Sequence, residues 1–281
     1  MEKLHISSSL FLSLALLGLS LSAASAGTVT YKGSTTVLPI AQIISETLAP
    51  RIVFSVQGGG SGTGIAALID RTTDIAGSSR YMKLEEFQKA VANGVMPYIW
   101  EVAIDALSIV VHPSNPISQI THEDLRRIYL GEVTNWSNLG GPNESIVVVS
   151  RDTSSGTYGT FKEIILENKE VTAGALFQAS SGAVATTVAS TPGAIGYVGL
   201  GYLQPGLKAL PLAKTAAGPF VAPSVESAIS LEYPLSRPLF LITNGYPQGE
   251  VAQVIKFALS DEGKALVIEA GYAPIRATSG K

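Results

Sequence analysis

The sequence predicts an α/β fold with helices on the faces of a sheet, organised as two lobes that share chain crossovers. Three observations predict it. Short β-branched apolar runs alternate with helix-like stretches. Four of these runs end in small, hydroxyl-rich loops, and at least three of the loops feed a helix. No internal repeat or low-complexity linker divides the chain, which favours lobes that exchange chain over two separate beads.

The elements follow in order. Thr28 to Lys32 reads as a strand, ending at Gly33-Ser34-Thr35-Thr36. A helix is expected from about Pro39 to Leu48, with proline in its first turn. Ile52 to Gln57 is the next strand. The glycine-rich stretch Gly58 to Gly64 reads as a loop, with a helix over Ile65 to Asp70. Asp74 to Gly77 is a strand end that stops at Ser78-Ser79-Arg80. Ile104 to His112 reads as one continuous apolar strand, broken by Pro113 and Pro116. Thr121 to Asp124 caps a helix over Leu125 to Tyr129. Ile146 to Val149 is a buried strand that runs into Arg151 to Thr157, and a helix follows near Thr160 to Leu166. Ile195 to Val198 and Leu239 to Thr243 are later strands. Helices over Val251 to Leu259 and Gly263 to Ala270 close the chain.

Composition narrows the function. The 281 residues are 46% hydrophobic and 15% charged, which is globular rather than disordered. A net charge of -3 shows no basic excess and excludes a typical nucleic-acid binder. A small anion is still admissible, because the field of a site need not follow the global charge. Residues 1–26 form a separate object. Lys3 precedes the apolar run Leu10 to Leu21, and Ala24-Ser25-Ala26 gives a small-x-small pattern. This reads as a secretory signal cleaved after Ala26, so an exported, periplasmic or extracellular protein is expected. An uncleaved anchor is the alternative, though the apolar core is short for a span. With no cysteine, the chain has no disulfide, thiolate metal site, thiol nucleophile or lipid-bearing N-terminal Cys.

The hydroxyl-rich loops carry the chemistry. They are Ser34-Thr35-Thr36, Gly60 to Gly64, Ser78-Ser79 and Ser154 to Thr157. In open α/β sheets, ligands bind beyond the carboxyl ends of strands. A helix N-terminus offers free N–H groups and partial positive charge there. Ser and Thr add donors without charge, and Arg151 adds a planar fork suited to a tetrahedral oxyanion. Each loop alone is ordinarily an N-cap or a turn. Arg151 by itself is equally explained as the partner of Asp152 or Glu163 in a surface salt bridge. As a ligand group, Arg151 is expected on a solvent-facing loop.

Enzyme signatures are missing. No Gly-Lys-Ser/Thr follows the Gly60–Gly64 stretch, and Thr63 stands where a Gly-x-Ser-x-Gly elbow needs its second glycine. Beyond the signal, the only histidines are His112 and His122. Neither has an obvious Ser and carboxylate partner, and two His without Cys make a poor transition-metal set.

The motifs resemble a known family. Gly33-Ser34-Thr35-Thr36-Val37-Leu38-Pro39, Gly59 to Gly64, Asp74 to Arg80 and Arg151 to Thr157 are similar to the anion loops of the PstS-type phosphate-binding proteins of phosphate ABC transporters. Ile128 to Trp136 and Gly193 to Val198 resemble framework segments of the same family, and the likeness spans the whole mature chain. It implies a two-lobed type 2 periplasmic-binding-protein fold, with a ligand cleft between the lobes and two crossover strands. Lobe one would take residues 27–105 and 239–281, and lobe two residues 106–238. It implies a monomeric, non-enzymatic receptor for inorganic phosphate that docks on an ABC permease and needs no cofactor or metal. The resemblance places Thr35, Ser61, Arg151, Ser155, Gly156 and Thr157 on ligand contacts, and Thr36 and Ser79 complete the candidate set from the loops they occupy. Ser79 stands where some members carry an Asp that accepts the proton of phosphate and repels sulfate. Thr153 stands where some carry an acidic partner of the arginine. Sulfate, molybdate or tungstate is therefore the alternative ligand class, and an exported serine hydrolase or an adhesive surface protein is a more distant one.

Overall fold

The computed structural model describes residues 27–275, so the expected signal segment, residues 1–26, lies outside the described residues. The first half of the chain runs β1 (Thr28–Ser34), α1 (Leu38–Leu48), β2 (Val53–Gly59), α2 (Ser61–Ile69), β3 (Ile75–Ser78), α3 (Leu84–Ala92), β4 (Pro97–Ala106), β5 (Ser108–Val111), β6 (Ile120–Thr121) and α4 (His122–Tyr129). The second half runs β7 (Val147–Arg151), α5 (Gly156–Ile164), β8 (Leu176–Gln178), α6 (Ser181–Ser190), β9 (Ala194–Val198), β10 (Lys208–Leu210), β11 (Leu212–Ala213), α7 (Val225–Ile229), β12 (Ser236–Asn244), α8 (Gly249–Leu259), α9 (Asp261–Glu269) and β13 (Ala273–Pro274). No helix among the described residues is long and apolar enough to cross a membrane.

Two sheets define two lobes. The first has six strands in the order β13-β4-β12-β3-β1-β2, and the second has five in the order β10-β5-β9-β7-β8. β1 pairs in parallel with both β2 and β3, as the intervening helices require. In the second lobe β7 pairs in parallel with β8 and β9. The chain passes between the sheets along β4 and β12, which are antiparallel neighbours. β12 starts at Ser236 and carries the chain back into the first sheet.

Several local expectations need correction. Ile104 to His112 is two strands, because the chain leaves one sheet after Ala106 and joins the other at Ser108. The run reads as one strand because the end of β4 and all of β5 are buried, so no polar break marks the join. The glycine-rich stretch is not a long loop. Gly58 and Gly59 finish β2, Gly60 alone turns the chain, and α2 begins at Ser61. Gly60 and Gly64 serve close approach rather than freedom of the chain. A Cβ on Gly64 would lie 2.4 Å from the Lys32 carbonyl oxygen and 2.7 Å from the Gly33 Cα, so α2 rests directly on β1.

The lobe-two core is built on aromatic contacts. Phe161 of α5 stacks on Tyr197 of β9 with ring centres 4.2 Å apart, and Tyr129 of α4 packs 4.6 Å from Phe161. Each such burial contributes about 1.5–3 kcal/mol. The expected cap on α4 is present: Thr121 Oγ1 accepts from the Asp124 N–H. α3 and α6 have no counterpart in the sequence expectations. α3 buries only Ala90, whereas α6 buries Val184, Ala185 and Val188 amid Ser and Thr that mask its period.

Packing at Gly64 is testable. Gly64→Ala forces backbone apart and is expected to destabilise the protein by about 1–3 kcal/mol, as overpacking does. Gly174→Ala, where an added Cβ meets nothing within 4 Å, is expected to leave denaturant midpoints nearly unchanged.

Candidate anion-binding site

In lobe one the sheet order brings the carboxyl ends of parallel β3, β1 and β2 side by side. Ser34, Thr35 and Thr36 follow from β1, Ser61 opens α2, and Ser79 follows β3. Short bonds knit them together. The Ser79 N–H donates to Ser61 Oγ at 3.0 Å, and Ser34 Oγ donates to Ser79 Oγ at 3.0 Å. The Ser61 and Ser79 hydroxyls are 3.3 Å apart. Tyr272 and Tyr202 hold the first loop by donating to the Thr36 and Thr35 carbonyls.

Lobe two repeats the device. β7 ends at Arg151, Ser155 caps α5, and Gly156 and Thr157 form the first turn of that helix. β8 lies beside β7 and leads to Ser180, which caps α6, so Ser181 stands beside Arg151. The leading N–H groups of α5 and α6 have no intrahelical acceptor and face the same region as the hydroxyls.

The two sets meet. Thr36 Oγ1 lies 2.8 Å from Thr157 Oγ1, and Thr35 Oγ1 lies 3.2 Å from Ser181 Oγ. Arg151 Nη1 donates to Thr35 Oγ1 at 3.1 Å and to Ser181 Oγ at 3.2 Å, bridging the lobes. The Gly62 N–H donates to the Ser154 carbonyl at 2.9 Å. A Cβ on Gly156 would lie 2.2 Å from Ser61 Oγ, so only glycine allows this approach. The structure thus brings Thr35, Thr36, Ser61, Ser79, Arg151, Ser155, Gly156 and Thr157 into one cluster. Their side chains are out of water: Thr36, Ser61 and Ser79 are 0% exposed, Arg151 and Thr157 1%, Ser155 3% and Thr35 5%.

Arg151 is not the surface group the sequence suggested. It is the last residue of a strand, and its Nε and Nη2 donate to the carbonyls of Gln178 and Ala179. Asp152 approaches only to 3.8 Å and turns its other oxygen to Ser154. Burial pulls the guanidinium below its ordinary value, with Asp152 opposing; a group starting so high stays cationic at neutral pH. The result is one buried cation inside a ring of uncharged donors, in a medium that screens charge weakly.

Comparison with known proteins places this geometry. Residues 20–262 match the sequence profile of the PBP superfamily domain. The phosphate-binding protein PstS of Borreliella burgdorferi is 32% identical over 268 residues, covering 88% of this chain and 90% of that one. The chain belongs to the PstS family. Two solved structures agree. A Clostridium perfringens substrate-binding protein with bound phosphate superposes with a TM-score of 0.81 at 29% identity, covering 89% of this chain and all of that one. An ABC-type phosphate transport receptor from Vibrio cholerae gives 0.69 at 31% identity, covering 88% of this chain and all of that one. The PstS-family fold is the two-lobed type 2 periplasmic-binding-protein fold, and the family consists of solute-binding receptors rather than enzymes.

In and beneath this cluster, sequence reasoning missed four residues as site candidates. Ser34 was named only as loop. Ser181 has a readable signal, since Ser180-Ser181-Gly182 echoes Ser154-Ser155-Gly156. Asp105 and Arg237 are single charges inside apolar runs, and they form a buried ion pair beneath the cluster. A groove of about 680 Å3 between the lobes is lined by Ser79, Ser155 and Arg237. Two further lining charges are held by carboxylates, Arg80 by Glu86 and Lys162 by Glu170. Among the described residues no three His, Cys, Asp or Glu side chains are placed to hold a metal ion.

The Gly156 contact has a measurable consequence. Gly156→Ala is expected to leave each lobe folded but to hold the lobes apart at Ser61. Small-angle scattering should then report a larger radius of gyration than the parent under the same conditions.

Proposed function

We propose that the protein captures inorganic phosphate outside the cytoplasmic membrane, clamps it between its lobes and delivers it to the permease of an ABC transporter. The observation that carries this is Arg151, a buried guanidinium of lobe two whose Nη1 donates to a hydroxyl of lobe one. Such a group needs an anion, and the hydroxyls and helix N-termini around it are donors arranged on both sides. Relatives named for phosphate binding and phosphate transport support the choice of anion. In this reading Thr35, Thr36, Ser61 and Ser79 bind from lobe one, and Arg151, Ser155, Gly156 and Thr157 bind from lobe two. Because the donors are split, the anion favours the closed arrangement of the lobes and shifts the population toward it. The ligand leaves chemically unchanged.

The cation is the first test. A charge-assisted hydrogen bond contributes about 1.5–3 kcal/mol, so Arg151→Ala is expected to weaken phosphate binding by at least about tenfold in calorimetry. Arg151→Lys should restore only part, since a point charge replaces a fork. Because the buried Arg151 also donates to the Gln178 and Ala179 carbonyls, both variants should melt below the parent. Parent-like phosphate affinity in Arg151→Ala would remove Arg151 from the site.

Selectivity is the second test. Ser79 Oγ accepts from Ser34 and lies inside the cluster, where it can also accept the proton of a protonated phosphate. A hydroxyl does this less strongly than a carboxylate. Phosphate is therefore expected to outcompete sulfate in the parent, and Ser79→Asp is expected to widen the margin. Equal affinity for the two anions in the parent would point to a general oxyanion receptor.

A further inference from the structure

Asp105 on β4 and Arg237 on β12 stand opposite each other on the two strands that carry the chain between the sheets. Asp105 is 0% exposed and Arg237 5%. Arg237 Nε and Nη2 donate to Asp105 Oδ2 at 3.0 and 2.8 Å. The other Asp105 oxygen accepts from the Leu200 N–H at 2.7 Å. An ion pair that only joined the strands would need nothing more. Yet Arg237 Nη1 also donates to the Ser79 carbonyl at 3.1 Å, and Nη2 donates to Thr157 Oγ1 at 3.0 Å. The guanidinium therefore touches one anion loop of each lobe.

The chemistry of a hydroxyl gives this contact a consequence. Thr157 has one proton and two lone pairs, and Arg237 has donors only. Arg237 fills one Thr157 lone pair, so the Thr157 proton is turned away from it. On that side lie Thr36 Oγ1 at 2.8 Å and Ser79 Oγ at 3.5 Å, the interior of the cluster. We infer that Arg237 is a positioning residue of the anion site, held by Asp105, which fixes Thr157 as a hydrogen-bond donor toward the ligand. This rests on the oxyanion-receptor reading above. By pairing with Arg237, Asp105 holds that guanidinium against both loops.

A double-mutant cycle tests the inference. Asp105→Asn combined with Arg237→Met removes the pair without leaving a lone buried charge. Phosphate binding is measured by calorimetry with and without Thr157→Val, after thermal unfolding confirms a folded protein. The neutral pair is expected to weaken binding about tenfold or more in the parent, but less than about threefold where Thr157→Val is already present, because coupled groups are not additive. Equal losses in both backgrounds overturn the inference and leave a structural ion pair. Should the neutral pair fail to fold, Arg237→Lys takes its place in the same cycle. It keeps the charge but lacks the fork that spans Asp105 and Thr157, so the same non-additivity is expected. A parent that binds phosphate with an additive cycle overturns this inference alone. A parent that takes up neither phosphate nor sulfate overturns it together with the proposed function.

Discussion

A guanidinium taken out of water has to find partners for every N–H it carries, and the arrangement of both lobes follows from that demand at Arg151. Its Nε and Nη2 are met by the Gln178 and Ala179 carbonyls at the end of β8. Nη1 is met by two hydroxyls, Ser181 in the same lobe and Thr35 across the cleft. The neighbouring strand therefore has to end where it does, and α6 has to start beside it. The lobes are tied through the same nitrogen. Removing any one of these acceptors leaves a buried donor unmet, which costs about 1–3 kcal/mol or more for a charged group.

Around that cation the protein uses neutral donors. Two tyrosine hydroxyls fix the loop after β1 from behind, and burial pushes Tyr202 up to about 12, so its proton stays on at neutral pH. Hydroxyls that bond one another in pairs can exchange those partners for the oxygens of an anion without reorganising the backbone. Preorganisation of this kind reduces the ordering cost of binding. It also sets the closure geometry, because the glycine at 156 has no side chain to hold the lobes apart.

Much of this was legible in the sequence. The strand-loop-helix rhythm, the capping Thr121 and the recurring hydroxyl loops all reflect local physics, so the loops and Arg151 stand out without coordinates, and the family resemblance then names Thr35, Ser61 and Ser155 within them. Local reasoning failed where tertiary contact decides the outcome. Gly58 to Gly64 reads as a loop, but Gly64 is there so that α2 can lie on β1, and Gly60 so that Ser154 can approach. The break at Leu107 is invisible because both flanking strands are buried. Asp105 and Arg237 lie 132 positions apart in the chain, and only the pairing of β4 with β12 explains why an apolar strand keeps a charge.

The pairing of β4 and β12 bears on how such a protein can be cut and rejoined. Ala106 and Ser236 are opposite partners on adjacent antiparallel strands, so the chain leaves the first sheet and returns to it at neighbouring points, about 5 Å apart at the Cα atoms. Topologically the second lobe is an insertion at the tip of a β-hairpin. A two-residue turn of the Asn-Gly kind has the right span to close that hairpin once the insertion is excised. The same two points are natural places to graft a reporter, since any bend between the lobes must pass through this one ribbon of two strands.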